Sequence, residues 1–489
     1  MTAPTLDRTP AVVARRAATV LAALGAPVPP PGGDARAALV AALDGAGAQE
    51  IWLTLAVVTG RLPTPADVLS ASRAAALDGA ETVLRTCEAA LAAGEGDLDA
   101  DVVVATGETL VDVFQTARLP RSTGIQRVSR ALARDWADRP GVRLVGWSDD
   151  QRALVDLTAE ERHHLLTDGA APPPPPPGFV RPVVVPHRGA YLLPELAVGP
   201  SVTPRIQALA QHAGCRTGVV GFDCVPLTSG ETTAPGTPSH FAGNLAAVRH
   251  MDHVAAISES AAREYRGWRT MVGATGLPGP EVSSVLLPVE APAPDPELLD
   301  HVRLRYRVGD LPLLLVVGTH EPRKNHEAVL HAAQLLWRAG RRFSLLFVGA
   351  PGWSSESFTT AFELLTEAGL PLEEARDVDD DTLWCLFEVA HATVFPSLNE
   401  GFGLPVADSI ALHTPVVTSN FGSTAEIAAD GGALLVDPRD DDALAAAIDT
   451  LLTDRRTYDR LVAESRARPR RTWQDYADEV WTALTGASS

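Results

Sequence analysis

The stretch Val394-Phe395-Pro396-Ser397-Leu398-Asn399-Glu400-Gly401-Phe402-Gly403-Leu404-Pro405-Val406-Ala407-Asp408, continued by Ala411-Leu412-His413-Thr414-Pro415-Val416-Val417, decides how this chain is read. A short apolar run feeds a carboxylate, two glycines let the backbone pass close to a ligand, and Leu404-Pro405 opens a helix that ends near His413 before the next buried strand. Such a strand, loop, helix, strand unit has a defined chemistry. Free amides at the helix start attract anions, Glu400 accepts hydrogen bonds from hydroxyls, and Asp408 lies further along the helix. Phosphate and sugar hydroxyls suit it together.

Working outward, the chain of 489 residues is too long for one domain. A formal net charge of −20 argues against nucleic acid and anionic membrane as general partners. Apolar runs such as 311–317 are far shorter than the roughly 20 residues that span a bilayer, and the N-terminus lacks a signal-peptide pattern, so a cytoplasmic location is expected. Cys87, Cys215, Cys224 and Cys385 show neither zinc nor disulfide spacing and read as core thiols. Of the 41 lysine and arginine residues a single one, Lys324, is lysine. In a chain that otherwise uses arginine throughout, that position calls for a compact ammonium.

Lys324 follows the buried strand run Leu313-Leu314-Leu315-Val316-Val317-Gly318-Thr319, in the loop His320-Glu321-Pro322-Arg323-Lys324-Asn325, with a helix expected from His326 to Trp337. Two cations at a helix start oppose the helix dipole unless an anion sits between them, which points to phosphate. A further strand is expected over 343–348. The run Ala392 to Phe395 then leads into the opening motif. Phe421-Gly422-Ser423-Thr424-Ala425-Glu426 and Leu434-Leu435-Val436-Asp437-Pro438 close the pattern. Asp377-Val378-Asp379 contains an Asp-x-Asp, but its position before a helix reads as an N-capping loop rather than a metal site.

The preceding half has the same rhythm. Thr109 to Phe114 reads as a strand, then a loop through Arg118, Pro120 and Arg121 reaches Thr123-Gly124-Ile125-Gln126-Arg127-Val128 and a helix. Strands are expected over 142–147, 191–193, 217–222 and 254–258, alternating with helices over 203–213 and 241–250, as in a parallel sheet. The polyproline run from Ala171 to Gly178 cannot join a ladder. Asp223, in Phe222-Asp223-Cys224, stands where open α/β sheets place ligands. The alternate prolines of Ala291 to Pro296 mark a stiff connector. Residues 1–97 are alanine-rich with helical spacing, and Thr472 to Trp481 reads as an amphipathic terminal helix.

The Glu400 to Asp408 stretch resembles the Glu-x7-Glu signature of the family-4 retaining glycosyltransferases. Asp408 stands where that family has its second Glu, one methylene short. The Glu-Pro-Arg-Lys-Asn loop and the Thr-Gly-Ile-Gln-Arg-Val run resemble further segments of the family, while Phe222 replaces its histidine. The resemblance implies an α/β GT-B fold, two Rossmann-like domains facing a cleft. Its divisions are 1–97 (helical extension, a candidate oligomerisation surface), 98–290 (acceptor domain), 291–470 (donor domain) and 471–489 (helix returning to the first domain).

It also implies transfer of a hexose from a nucleotide-diphosphate sugar, with retention and without metal or other cofactor. Arg323, Lys324 and Glu400 would be catalytic. Gly401, Phe402, Gly403, Leu404, Asp408, Gly124 and Asp223 would hold the donor, with Asp408 on the ribose. A catalytically silent sugar-nucleotide binder, an epimerase and a phosphorylase are the alternatives for the same fold.

Overall fold

The computed structural model describes residues 8–119, 123–167 and 181–486; Pro120, Arg121 and the polyproline run lie outside them. Two sheets organise those residues. The first contains β1 (Val102–Thr106), β2 (Thr109–Asp112), β3 (Val142–Trp147), β4 (Leu154–Asp156), β5 (Val183–His187), β6 (Ala190–Leu193), β7 (Arg216–Gly221), β8 (His253–Ala256) and β9 (Glu281–Ser284), in the order β1-β5-β4-β3-β2-β6-β7-β8-β9. Every pairing is parallel except those of β4 with β3 and β5. The purely parallel expectation therefore fails at one strand, because β3 and β4 are joined by a tight turn in which Gln151 takes a left-handed φ of 57°. Residues 109–114 do not run on as one strand either. Asp112 ends β2 and accepts from the Phe114 amide, and a short helix, Phe114–Arg118, begins there.

The second sheet contains β10 (Leu313–Val317), β11 (Ser344–Val348), β12 (Leu372–Ala375), β13 (Ala392–Phe395), β14 (Val416–Ser419) and β15 (Ala433–Val436), all parallel in the order β12-β11-β10-β13-β14-β15. All five residues of β10 and of β11 are buried. Continuous apolar strands are what a sheet covered by helices on both faces requires. Two hydrophobic clusters do the covering. One gathers Val329, Phe347 and Ile448, the other Leu315, Cys385 and Phe387.

The helices of residues 9–92 do not stand apart from the first lobe. Their buried Trp52, Leu55 and Leu84 belong to the same cluster as Val184 and Leu192 of its sheet. Arg16, only 2% exposed, donates to the carbonyls of Val58 (2.9 Å), Asp97 (2.7 Å) and Ala100 (2.6 Å), tying the first helix to the segment that enters β1. A buried guanidinium tolerates that position only because carbonyl oxygens receive its protons. At the other end of the chain the helix Trp473–Thr485 buries Tyr476, Ala477, Val480 and Leu484, and the Trp136 indole donates to the Ala477 carbonyl at 3.1 Å. The chain thus crosses back from the second lobe to the first. Among the described residues no helix is long and apolar enough to cross a membrane.

Candidate active site

A cleft of about 2080 Å³ opens between the lobes. It exceeds the ~300–1,000 Å³ of an ordinary small-ligand pocket, so it has room for two substrates. Its second-lobe wall is built by the ends of β10 and β13, neighbours in the sheet. After β10 the chain makes a single 3-10 turn, Pro322–Lys324, and Asn325 takes a left-handed φ of 58° before the helix His326–Arg338 begins. The turn is anchored from outside. The Arg323 carbonyl accepts from the Leu398 amide (2.8 Å) and the Ser397 hydroxyl (3.0 Å), and the Asn325 side chain donates to the Pro438 carbonyl.

Arg323 and Lys324 converge on Glu400. Lys324 Nζ donates to Oε1 at 2.6 Å, Arg323 Nη1 lies 2.7 Å from Oε2, and the Ser397 hydroxyl donates to Oε1 at 2.7 Å. Arg323 also bonds Glu321 and donates to the Asn399 carbonyl. Lys324 Nζ lies 5.0 Å from the centroid of the Phe395 ring. Burial alone would push the Glu400 carboxyl up; Lys324 and Arg323 outweigh it and hold the group at about 2, ionised at any working pH. For Glu321 burial wins over the same two cations, and its carboxyl is pushed up. Two cations and two acids therefore meet where the turn after β10 faces the loop after β13. Arg323 and Lys324 are held in fixed orientation at the cleft, and a guanidinium and an ammonium carry more N–H donors than the bonds to these carboxylates use.

Gly401 and Gly403 shape the loop that follows. A Cβ on Gly401 would lie 2.4 Å from the Phe222 carbonyl of the first lobe, and Gly403 has a φ of 109°. Only glycine admits both. Phe402 turns into the core at 3% exposure, so what it offers a ligand is its backbone. The helix Leu404–Ala411 then starts against the other wall, where Gly124 would bring a Cβ within 3.2 Å of the Leu404 side chain.

Asp408 has a partner the sequence did not suggest. Both its oxygens accept from Arg127, at 2.7 and 2.9 Å, across the cleft from the helix Gly124–Trp136 of the opposing lobe. Arg127 in turn lies 5.7 Å from the Trp384 and Trp473 ring centroids. Burial pushes the Asp408 carboxyl up and Arg127 pulls it down, while Asp380 adds to the upward push. The forked geometry is that of a carboxylate facing a guanidinium. At 4% exposure Asp408 is sealed by this pair.

Further ties join the lobes around the loop. Ser258 accepts from the Ala261 amide as a helix cap and donates to the Gly401 carbonyl at 2.6 Å. Glu426 accepts from the Glu259 amide. Asp223 caps a turn by accepting from the Val225 amide, and burial pushes its carboxyl up to about 6 although Arg323 pulls it down. It borders the cleft beside Gly401. Asp379, by contrast, accepts from the Thr382 amide and caps its helix.

The structure therefore gathers Arg323, Lys324, Glu400, Gly401, Phe402, Gly403, Leu404, Asp408, Gly124 and Asp223 around one cleft. Sequence reasoning left Arg127, Glu321 and Ser397 without a role. Glu321 and Ser397 sit inside motifs already recognised, where a carboxylate beside two cations was a usable signal. Arg127 carried none, being one arginine among many whose partner lies 281 positions away.

Residues 306–468 match the family described as glycosyl transferases group 1. The matched segment contains Arg323, Lys324, Glu400 and Asp408, whereas Gly124, Arg127 and Asp223 lie outside it. The chain is 26% identical over 333 residues to the serotype-specific mannosyltransferase WbdA of Escherichia coli, covering 66% of this chain and 39% of that protein. It is 37% identical over 151 residues to the O-antigen chain mannosyltransferase B of Escherichia coli, covering 31% of this chain and 39% of that one. This chain thus spans about two fifths of the length of these relatives.

Among solved structures it resembles Anabaena Alr3699/HepE in complex with UDP and glucose, with a TM-score of 0.54 at 13% identity over 78% of this chain and all of that one. It also resembles an Escherichia coli trehalose-6-phosphate protein bound with UDP-2-fluoro glucose, with a TM-score of 0.50 at 11% identity over 77% of this chain and 96% of that one. The architecture is the two-lobed GT-B fold.

Proposed function

We propose that this protein is a retaining glycosyltransferase of the family-4 type, which moves a hexose from a nucleotide-diphosphate sugar to an acceptor entering from the first lobe. The observation that carries the reading is the convergence of Arg323 and Lys324 on Glu400 at the cleft end of two adjacent parallel strands. In such sheets ligands bind beyond the strand ends. The two cations take the diphosphate, and their charge stabilises it as it leaves, so no metal is required. Glu400 and the Gly401 to Leu404 backbone receive the hexose hydroxyls. Asp408 receives the ribose once Arg127 yields it. Gly124 and Asp223 complete the donor site from the opposing lobe. The two mannosyltransferase relatives make mannose the first sugar to try.

A thermal-shift screen of UDP- and GDP-sugars, followed by transfer assays in EDTA, tests the reading. Stabilisation by a nucleotide sugar and turnover in the chelator are expected. Activity lost in EDTA and restored by manganese would contradict the cationic site. Asp408→Ala should weaken nucleoside diphosphate binding and Asp408→Glu should keep or tighten it; calorimetry in which the alanine variant binds like the parent removes the ribose role. The seal of Arg127 over Asp408 favours one second reading, a GT-B sugar-nucleotide binder without turnover, which the same transfer assay separates.

A further inference from the structure

The loop that carries Arg323 and Lys324 is bounded by two histidines that the proposed chemistry does not use. His320 leaves β10 and His326 opens the next helix, and both are 4% exposed. Their Nδ1 atoms are 2.9 Å apart. His320 Nε2 lies 3.0 Å from Glu374 Oε1 on β12, and that carboxylate also holds Arg376. His320 stacks on Phe358 with ring centroids 4.5 Å apart, and His326 meets the Phe347 ring edge-on at 5.4 Å.

The partners fix the protons. A carboxylate at Nε2 keeps the His320 proton there, so in the neutral ring Nδ1 is an acceptor. His326 must then donate its own Nδ1–H, and its buried Nε2, which has no protein partner, is the ring's unprotonated nitrogen. Burial pushes both rings toward the neutral form, His326 down to about 3 with His320 and Lys324 adding to the effect, while Glu374 opposes the shift at His320.

We propose that His320 and His326 form a clasp whose single shared proton closes the loop between them and positions Arg323 and Lys324 for the diphosphate. Between the two rings the backbone makes a 3-10 turn, closed by the Lys324 and Asn325 amides donating to the Glu321 and Pro322 carbonyls, and then a left-handed residue; neither of those bonds reaches from His320 to His326. The side-chain bond ties its entrance to its exit. Both are positioning residues, buried among Phe347 and Phe358 rather than on the cleft. This inference rests on the diphosphate role of Arg323 and Lys324.

Two substitutions separate the bond from the packing. His326→Phe keeps an aromatic ring among Phe347 and Phe358 and removes the donor. His326→Asn places an amide nitrogen near the position of Nδ1 and keeps it. Hydrogen exchange of peptides covering residues 319–326 should run about tenfold faster in the phenylalanine variant, the scale of one buried hydrogen bond, and near the parent rate in the asparagine variant. Calorimetry with UDP and with GDP should show about tenfold weaker binding for phenylalanine and recovery for asparagine.

Equal exchange in all three proteins would overturn the clasp. Faster exchange with unchanged nucleotide binding in His326→Phe would overturn its positioning role, as would phenylalanine and asparagine variants that bind equally weakly. A parent that binds neither nucleotide would instead sink the diphosphate reading, and the exchange rates would still judge the clasp.

Discussion

Glu400 and Asp408 lie eight residues apart on one loop and helix, both ion-paired, Asp408 buried and Glu400 partly so, yet burial and charge settle differently at the two. Glu400 faces two cations and a hydroxyl from its own lobe and is held at about 2. Asp408 has one cation, from the other lobe, with Asp380 nearby, and its carboxyl is pushed up. Charge balance at the first site is internal to a rigid sheet edge. At the second it depends on how the lobes sit. A ligand at Glu400 can add to a finished site, whereas a ligand at Asp408 has to replace a partner.

The sharpest way to break the comparison is at the finished site. Glu400→Gln removes the charge and keeps the shape, and turnover should fall about a hundredfold, the scale of a lost transition-state contact. Free nucleoside diphosphate should bind no more weakly, since Arg323 and Lys324 are released from a competing carboxylate. Turnover and calorimetry on one preparation decide it. Weaker nucleotide binding with turnover kept at saturating donor would mean that Glu400 serves binding alone.

At the dependent site, Arg127→Met keeps the contact with Trp384 and Trp473 while stranding a buried carboxylate. Urea unfolding should show a loss of about 2 kcal/mol, below the full cost of breaking a buried pair because Arg127 is partly exposed. Adding Asp408→Asn should restore most of it. The single variant should also bind UDP or GDP several-fold more tightly, because the ribose no longer competes with a guanidinium. Weaker binding would show that Arg127 serves the nucleotide instead of competing with it.

The smallest effect is in acid. Glu400 has a folded value below its ordinary one, so its stabilisation is complete above about pH 4.5 and is lost as pH falls toward about 2. Asp408 is shifted the other way, so its contribution is complete below about pH 3.8 and is lost as pH rises through the raised folded value. Between pH 5 and 3 the parent's melting temperature should therefore fall more steeply than that of Glu400→Gln. Parallel melting curves would remove the strong pairing assigned to Glu400.

The second lobe was legible because its signals are local. Leu313 to Val317 is apolar at every position, Asp379 caps its helix, and Arg323, Lys324 and Glu400 stand in two short motifs that follow neighbouring strands. The first lobe was less so. Val102 to Thr106 and Val183 to His187 went unread as strands. They are five residues each and pair with each other across some eighty intervening residues. Leu154 to Asp156 is too short to show a period. The bond between Arg127 and Asp408 and the one between His320 and His326 depend on tertiary approach, which no spacing encodes.

Under the proposed function two half-buried cations on one turn carry the leaving diphosphate, and the compact ammonium is the one that cannot be exchanged. The direct measurement is release of UDP or GDP from nucleotide sugars, in EDTA, by the parent and by Lys324→Arg. The account predicts turnover by the parent in the chelator and a fall of roughly a hundredfold in the folded variant, where a second guanidinium crowds the turn between Pro322 and Asn325. Lys324→Arg releasing diphosphate at the parent rate would contradict it.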